Sequence, residues 1–207
     1  MTEIDKHLIF RNYLIEHPDE LKRYEALKLT LAETFRQDRT SYTLSKDDLV
    51  KEMLQKADFQ GITMVQALTD REWVAAKHMR QKYFFDRLTD KVDPYTWTFE
   101  DANHFHIVLM VGCDIVGYAH IQFWPHHRAA LRIIVIEETH RKQGLGQYFL
   151  AKLERWLSHQ GIRSFHTQSS PEAQVFYRQA GYAEMPFNDP DGYEGDPRDI
   201  EMGKVLN

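Results

Sequence analysis

The run Arg141-Lys142-Gln143-Gly144-Leu145-Gly146 decides how this chain is read. It lies between an apolar strand, Leu131 to Ile136, and an amphipathic helix expected to open at about Gly146. A glycine-bearing loop at a helix start exposes backbone N–H groups that have no intrahelical acceptor. The positive end of the helix dipole adds to them, so the segment forms a cradle for phosphate. Two common phosphate loops fit poorly. A dinucleotide fingerprint needs a further glycine where Phe149 stands, and a Walker loop needs Lys-Ser/Thr after its last glycine. The pattern that remains is Arg/Gln-x-x-Gly-x-Gly.

The bulk composition narrows the setting. A chain of 207 residues suits one ordinary domain, or one domain with a small appendage. With 43% apolar and 13% aromatic residues it has ample core. A net charge of −5 argues against nucleic acid as a partner. The single cysteine, Cys113, excludes an intramolecular disulfide and fits a reducing compartment. It lies in the tight turn Gly112-Cys113-Asp114, a poor place for a nucleophile. The first residues are charged and do not resemble a signal sequence. The longest apolar run, Ile107 to Val111, is far too short to span a bilayer. The expectation is a soluble, cytoplasmic protein with no membrane partner.

The rhythm of the chain divides it near residue 60. Residues 1–59 read as all helix, and residues 60–207 as alternating strands and helices. Leu21, Tyr24, Leu27, Leu31 and Phe35 recur at three- and four-residue spacing, one apolar stripe on a helix of about five turns. Pro18 sits where a first-turn proline is tolerated. A shorter helix from about Lys6 to His17 precedes it, and Arg36 to Tyr42 reads as a polar connector. The next helix is expected to start at Ser45, with Asp48 completing a capping box. The stretch Phe10-Arg11-Asn12-Tyr13-Leu14 … His17-Pro18 … Tyr24-Glu25-Ala26-Leu27-Lys28 … Tyr42-Thr43 … Lys46 resembles the C-terminal helical part of the GrpB family. That family is similar to nucleotidyltransferases of the polymerase-β type. Its preceding sheet with metal-binding carboxylates has no counterpart here, so a packing or dimerisation appendage is expected.

Beyond residue 60, Ile62 to Leu68 reads as a strand and Asp70 to Phe85 as a helix. Phe105 to Val111 and Ile115 to Trp124 form a hairpin, followed by the strand Ala130 to Ile136. Gly146 to Gln160 is helix, Ser164 to Gln168 strand and Pro171 to Ala180 helix. A last strand pair, Tyr182 to Pro186 and Ile200 to Val205, brackets an acidic loop. This predicts a mixed α/β fold with a mostly antiparallel sheet and helices on both faces. The order resembles a GNAT N-acetyltransferase domain. Besides the glycine loop, three blocks carry the resemblance: Ile115-Val116-Gly117-Tyr118-Ala119, then Ser170-Pro171-Glu172-Ala173 … Phe176-Tyr177 … Gly181-Tyr182, then Ile200-Glu201-Met202 … Lys204. Ser170 stands where asparagine is frequent, and Glu138 replaces a common proline.

The resemblance implies acetyl-CoA as co-substrate. The main chain of Ile134, Val135 and Ile136 would pair with the pantetheine amides. The pyrophosphate would be received by Arg141, Lys142, Gln143, Gly144, Leu145 and Gly146, and Ser170 would lie by the pantetheine arm. Tyr177 matches the family's frequent general acid. Its phenol, with a pKa near 10, must protonate a thiolate with a pKa near 8.5, which is uphill unless the site tunes it. A backbone N–H near Ile136 would polarise the thioester carbonyl. An amine acceptor must lose a proton before it attacks, and His120 or Glu137 is the candidate base.

Other conspicuous residues have weaker claims. His104, His106, His126 and His127 lack the Cys or carboxylate that would complete a tetrahedral metal set, so no metal is expected. Trp97, Phe123 and Trp124 are candidate acceptor-pocket residues or simply core. Asp189, Asp191, Glu194, Asp196 and Asp199 form either a solvated loop or a receptor for a cationic acceptor. Their spacing lacks the glycine and terminal glutamate of an EF-hand.

The function expected is acetyl-CoA-dependent N-acetylation of a primary amine, on a small molecule or a protein or peptide, by direct attack in a ternary complex. A non-catalytic acyl-CoA-binding module is the alternative. Nucleotidyl transfer by the GrpB-like part is a third reading, disfavoured by the missing carboxylates. A homodimer through the N-terminal helices is the expected assembly.

Overall fold

The computed structural model describes residues 3–86, 92–192 and 195–206. The chain divides into two compact units. One runs to Thr63 and includes Leu68–Glu72 and Leu109–Ile115; the other holds the remainder.

The first unit contains α1 (Glu3–Glu16), α2 (Pro18–Thr34), α3 (Arg39–Ser45) and α4 (Asp47–Lys56), of which α1, α2 and α4 bury one apolar cluster. Tyr13, Leu14, Leu49 and Met53 form its centre, and Leu21, Tyr24 and Leu27 of the α2 stripe pack on it. The expected connector is partly helical. Asp38 accepts a hydrogen bond from the Ser41 N–H at 3.0 Å and nucleates α3. The capping box expected at Ser45 does not form, because α3 runs through Ser45 and α4 begins after Lys46 with no side-chain cap.

A second cluster in this unit, Leu54, Phe59 and Cys113, joins α4 to the hairpin turn at 112–114. Gly112 has φ +59°, and a Cβ there would come within 2.5 Å of the Phe59 carbonyl oxygen, so only glycine fits this turn. The Cys113 thiol donates to the Lys51 carbonyl at 3.2 Å. Lys51 also pairs with Glu72 at 3.0 Å and with Asp47 at 2.5 Å. Glu72 in turn accepts from the N–H groups of Leu68 and Thr69 and fixes the start of the next helix.

A seven-stranded sheet has the order β1-β2-β3-β4-β5-β7-β6. Its strands are β1 (Ile62–Gln66), β2 (His104–Val111), β3 (Asp114–Trp124), β4 (Arg128–Ile136), β5 (Ser164–Ser169), β6 (Ala183–Glu184) and β7 (Ile200–Val205). Helix α5 (Asp70–Arg80) follows β1 and runs on as a π-helical turn, Gln81–Phe85, where one continuous α-helix was expected. Between that turn and β2 lies the 3₁₀ turn Thr96–Phe99. Helix α6 (Leu145–His159) buries Leu145, Phe149, Leu150, Leu153 and Leu157, the three- and four-residue spacing of an amphipathic helix. Its Trp156 ring meets Phe105 and Phe123 at 5.5 and 5.6 Å. Helix α7 (Gln174–Gln179) is preceded by a 3₁₀ turn, Pro171–Ala173.

Two features of the sheet shape the site. In β4 Arg132 is an extra residue, because His120 faces Ile133 while Ile121 faces Leu131. Strands β4 and β5 run parallel, but only Arg128–Ala130 pair with Ser164–His166. Beyond that point β4 has no strand partner on its β5 side. No helix among the described residues is long and apolar enough to cross a membrane.

Candidate active site

Strand β4 leaves the parted region and enters the 3₁₀ turn Glu138–His140, which leads into the glycine loop. Lys142 and Gly144 take positive φ, +61° and +78°, and Gly144 caps α6. Open space surrounds Gly144, so its glycine serves the backbone angle rather than a close approach. The first backbone bond of α6 runs from the Tyr148 N–H to the Gly144 carbonyl at 3.0 Å. The N–H groups of Leu145, Gly146 and Gln147 therefore have no intrahelical acceptor, as an anion cradle requires. Lys142 is exposed in this loop, and Gln143 is tied by its side-chain amide to the Thr139 carbonyl at 3.3 Å. Arg141 folds back instead of pointing outward. Its Nε donates to the Ile136 carbonyl at 2.8 Å, and its guanidinium lies 5.0 Å from the Tyr83 ring centre.

Main-chain groups of Ile134, Val135 and Ile136 pair with Ala119, Tyr118 and Gly117 across β3. Tyr177, on α7, is buried and shares a hydrogen bond with Thr167, whose hydroxyl donates to the Leu131 carbonyl at 3.1 Å. The phenol is thereby tied to the point where β4 and β5 separate. Burial pushes its pKa up to about 12, away from the thiol value. Ser170 turns its hydroxyl to Glu172, and its carbonyl accepts from the Ala173 N–H at 3.0 Å.

Neither candidate base is a free imidazole or carboxylate. The Glu137 Oε2 atom accepts from Lys82 at 2.9 Å and from the Tyr83 hydroxyl at 2.7 Å, both on the π-helical turn. Desolvation opposes the ionised form, but these two donors prevail and hold the carboxyl below its usual range. His120 is 3% exposed, and its Nδ1 lies 2.9 Å from an Arg80 guanidinium nitrogen. Because guanidinium only donates, the sole lone pair of neutral His120 is occupied. Burial first, then neighbouring His106 and Arg80, hold its pKa well below the ordinary value. In this arrangement His120 is a hydrogen-bonded member of a buried network.

Sequence reading missed the network to which it belongs. Tyr118, His120 and Gln122 share one face of β3 and meet His104 and His106 of β2. Arg80 reaches them from α5 and is itself paired with Asp93 at 2.5 Å. The Tyr118 hydroxyl donates to His106 Nδ1 at 2.7 Å, and His106 Nε2 donates to the Thr98 carbonyl at 3.1 Å. The signal lay in three histidines and a tyrosine at alternate positions of two paired strands, which places them on one face.

His106 carries a pH prediction. Burial lowers its pKa from 6.5 to about 4. The unfolded chain binds this proton and the folded chain does not, so the stabilisation is complete above pH 6.5. It is lost as pH falls toward 4 and amounts to about 3 kcal/mol for this group. Urea midpoints are expected to drop between pH 6.5 and 5, before ordinary carboxylates titrate. A flat midpoint over that range would contradict a neutral buried His106.

The acidic loop is only partly solvated. Asp189 pairs with Arg132 at 2.5 Å, and Asp191 accepts from Gln122 at 2.7 Å, so both are bound to the sheet. Asp196 pairs with Arg198 at 2.6 Å, Asp199 is half-buried, and Glu194 lies outside the described residues. Trp124 belongs to a buried cluster with Ala130 and Phe187, and the half-buried Phe123 packs against Phe105 at 4.4 Å. Trp97 is 54% exposed. His126 and His127 form the β3–β4 turn at positive φ. Among the described residues no group of three or more His, Cys, Asp or Glu could hold a metal ion.

Comparison with known proteins agrees with this geometry. A family model described as GrpB protein matches residues 1–56. The Glutamate-rich protein GrpB of Alkalihalophilus pseudofirmus is 42% identical over 52 residues, 25% of this chain and 30% of that protein. A Bacillus subtilis protein with a provisional acetyltransferase name is 29% identical over 96 residues, 46% of this chain and 63% of its own. The chain thus spans from 24% to 63% of the length of its curated relatives. A solved structure provisionally named as an N-acetyltransferase from Lactobacillus plantarum superposes with a TM-score of 0.58 at 20% identity, over 71% of this chain and 99% of that one. An aminoglycoside 6′-N-acetyltransferase complexed with coenzyme A superposes with a TM-score of 0.55 at 13% identity, over 71% and 97%. The model described as the Acetyltransferase (GNAT) family covers residues 65–182, more than half of the chain and every element from α5 to α7. A parted β4–β5 pair, a glycine loop opening α6 and that match together place the chain in the GNAT acetyltransferase family.

Proposed function

We propose that this protein transfers the acetyl group of acetyl-CoA to a primary amine by direct attack in a ternary complex. The observation that carries the reading is the parting of β4 from β5 after Ala130 and His166, directly ahead of a loop with unpaired helix-start N–H groups. Residues Ile134 to Ile136 offer their main chain to the pantetheine amides, and 141–146 offer N–H groups to the pyrophosphate. Arg141 must exchange its bond to the Ile136 carbonyl for the ligand, or share that oxygen's second lone pair with it.

In the reaction the amine nitrogen forms a bond to the thioester carbon, the C–S bond breaks, and the sulfur leaves as thiolate. A main-chain N–H near Ile136 holds the developing oxyanion. Full proton donation from Tyr177 to a thiolate is uphill by about 5 kcal/mol, given a phenol at about 12 and a thiol near 8.5. Because Thr167 donates to Leu131, the bond between the two hydroxyls uses the Tyr177 proton, so Tyr177 stabilises the departing sulfur by exchanging Thr167 for it. The amine proton passes through water to Glu137, whose second carboxylate oxygen is open at the end of β4. Cys113 is buried and burial raises its pKa, which disfavours an acyl-enzyme route.

Calorimetric titration of the intact protein with acetyl-CoA, against ATP with magnesium, tests the reading. Micromolar one-to-one binding of acetyl-CoA alone is the expected result. Silence toward acetyl-CoA would overturn it. Binding without turnover on a broad amine panel would favour a non-catalytic acyl-CoA module.

A further inference from the structure

The buried chain that begins at Asp93 ends in a donor that has no partner among the described residues. Arg80 carries donors only, so Nδ1 of His120 accepts and the His120 proton sits on Nε2. That proton is donated to His104 Nδ1 at 2.7 Å. Neutral His104 must then carry its own proton on Nε2. His104 is half-exposed, and its Nε2–H has no partner among the described residues. Thus Asp93, through Arg80 and His120, imposes a single tautomer on a surface imidazole. Burying Arg80 (2% exposed) and His120 (3%) among strands is expensive in desolvation. What the arrangement yields is a neutral N–H donor of fixed direction, supported from behind as the ligands of a functional site are.

Beside this donor stands Trp97, edge-on to the His104 ring at 5.1 Å and 54% exposed. Four charges act on His104: the carboxylates of Asp101 and Asp191, and against them the guanidinium groups of Arg132 and Arg80. The chemistry of the pair is selective. The two guanidinium groups offset the pull of the carboxylates on a cation, so the N–H donor turns an ammonium group away, and the carboxylates repel a third. A neutral oxygen satisfies both, and the indole accommodates an apolar or planar group next to it.

We infer that His104 and Trp97 form an acceptor subsite for an amide carbonyl, so that the preferred amine substrate is peptide-like rather than an alkyl polyamine. This rests on the acetyl-transfer reading. His104 is a binding residue here, and Arg80 and His120 are positioning residues behind it.

The test uses the intact protein with 15N-labelled histidine, titrated with a dipeptide amide and with a diaminoalkane of equal length, with and without CoA. The dipeptide amide is expected to shift a protonated Nε2 signal that is absent from His104→Leu, while the diaminoalkane leaves it in place. His104→Leu is expected to bind the dipeptide amide about tenfold more weakly, and His104→Gln, which keeps a neutral N–H donor, within about threefold of the parent. Acetyl-CoA affinity is expected to be equal in all three. Equal affinity for the two amines, or an unchanged dipeptide affinity in His104→Leu, would overturn the inference. A dipeptide shift in a protein that fails to bind acetyl-CoA would support the subsite and remove acetyl transfer instead.

Discussion

Tyr177→Phe is expected to lower kcat about 100-fold and to leave acetyl-CoA affinity unchanged, the size associated with losing one hydrogen-bond donor to developing charge. The substitution keeps the ring in its buried place between Phe176 and Tyr182, at 5.1 and 5.5 Å, so packing is preserved. Only the hydroxyl beside Thr167 is removed. With its pKa pushed up to about 12, this phenol stays protonated throughout the working range, so no limb of the pH–rate profile below pH 10 should belong to it. Turnover and calorimetric affinity measured together decide the matter. An unchanged kcat would assign the thiolate's stabilisation to another group. Loss of affinity equal to the loss of kcat would make Tyr177 a binding residue instead.

Arg80→Leu is expected to cost about 3–5 kcal/mol of stability, because it strands a buried charge. The Asp93 side chain is 8% exposed, and it accepts from Arg80 at 2.5 Å and from the Tyr95 N–H at 2.9 Å. With the guanidinium gone, the carboxylate keeps the backbone donor and loses its counter-charge. Burial already opposes the charge on Arg80, and Asp93 is the leading group that sustains it. Combining Arg80→Leu with Asp93→Asn is expected to restore a large part of the loss, since no uncompensated charge then remains. Urea denaturation of both variants provides the measurement. Equal losses in the two variants would show that packing at Arg80, not charge, dominates. Its guanidinium does lie over Phe85 and Phe99 at 5.3 and 5.4 Å.

Much of the fold was readable because its signals are local. The Gly-x-Gly loop, the apolar β4 run and the stripe of α6 each lie within a short window and carry their own periodicity. The helix α3 was hidden because its signal, Asp38 followed three residues later by Ser41, sits in a uniformly polar stretch where helix and loop look alike. The π-helical turn had no composition signal, although it presents Lys82 and Tyr83 together to Glu137. Site electrostatics was the least readable part. The Arg80–His120 contact spans 40 residues and Asp189–Arg132 spans 57, so both depend on sheet register and loop path. His120 looked like a base because its intrinsic pKa suits one. Only the position of Arg80 shows that its lone pair is occupied.

The bond from the Cys113 thiol to the Lys51 carbonyl bridges 62 residues of chain. Around it Leu54, Phe59 and Cys113 share one cluster, and Lys51 neutralises Glu72 at the start of α5. A cut placed by family likeness, near residue 60, would part these contacts, all of which lie within one compact unit. Residues 60–207 expressed alone are expected to leave Cys113, at the hairpin's tip, without the Leu54 and Phe59 that cover it. Loop-closure entropy leads one to expect such a long-range contact to form after the local helices. A ribosome making this chain has completed α1 to α4 well before it synthesises the turn they will hold.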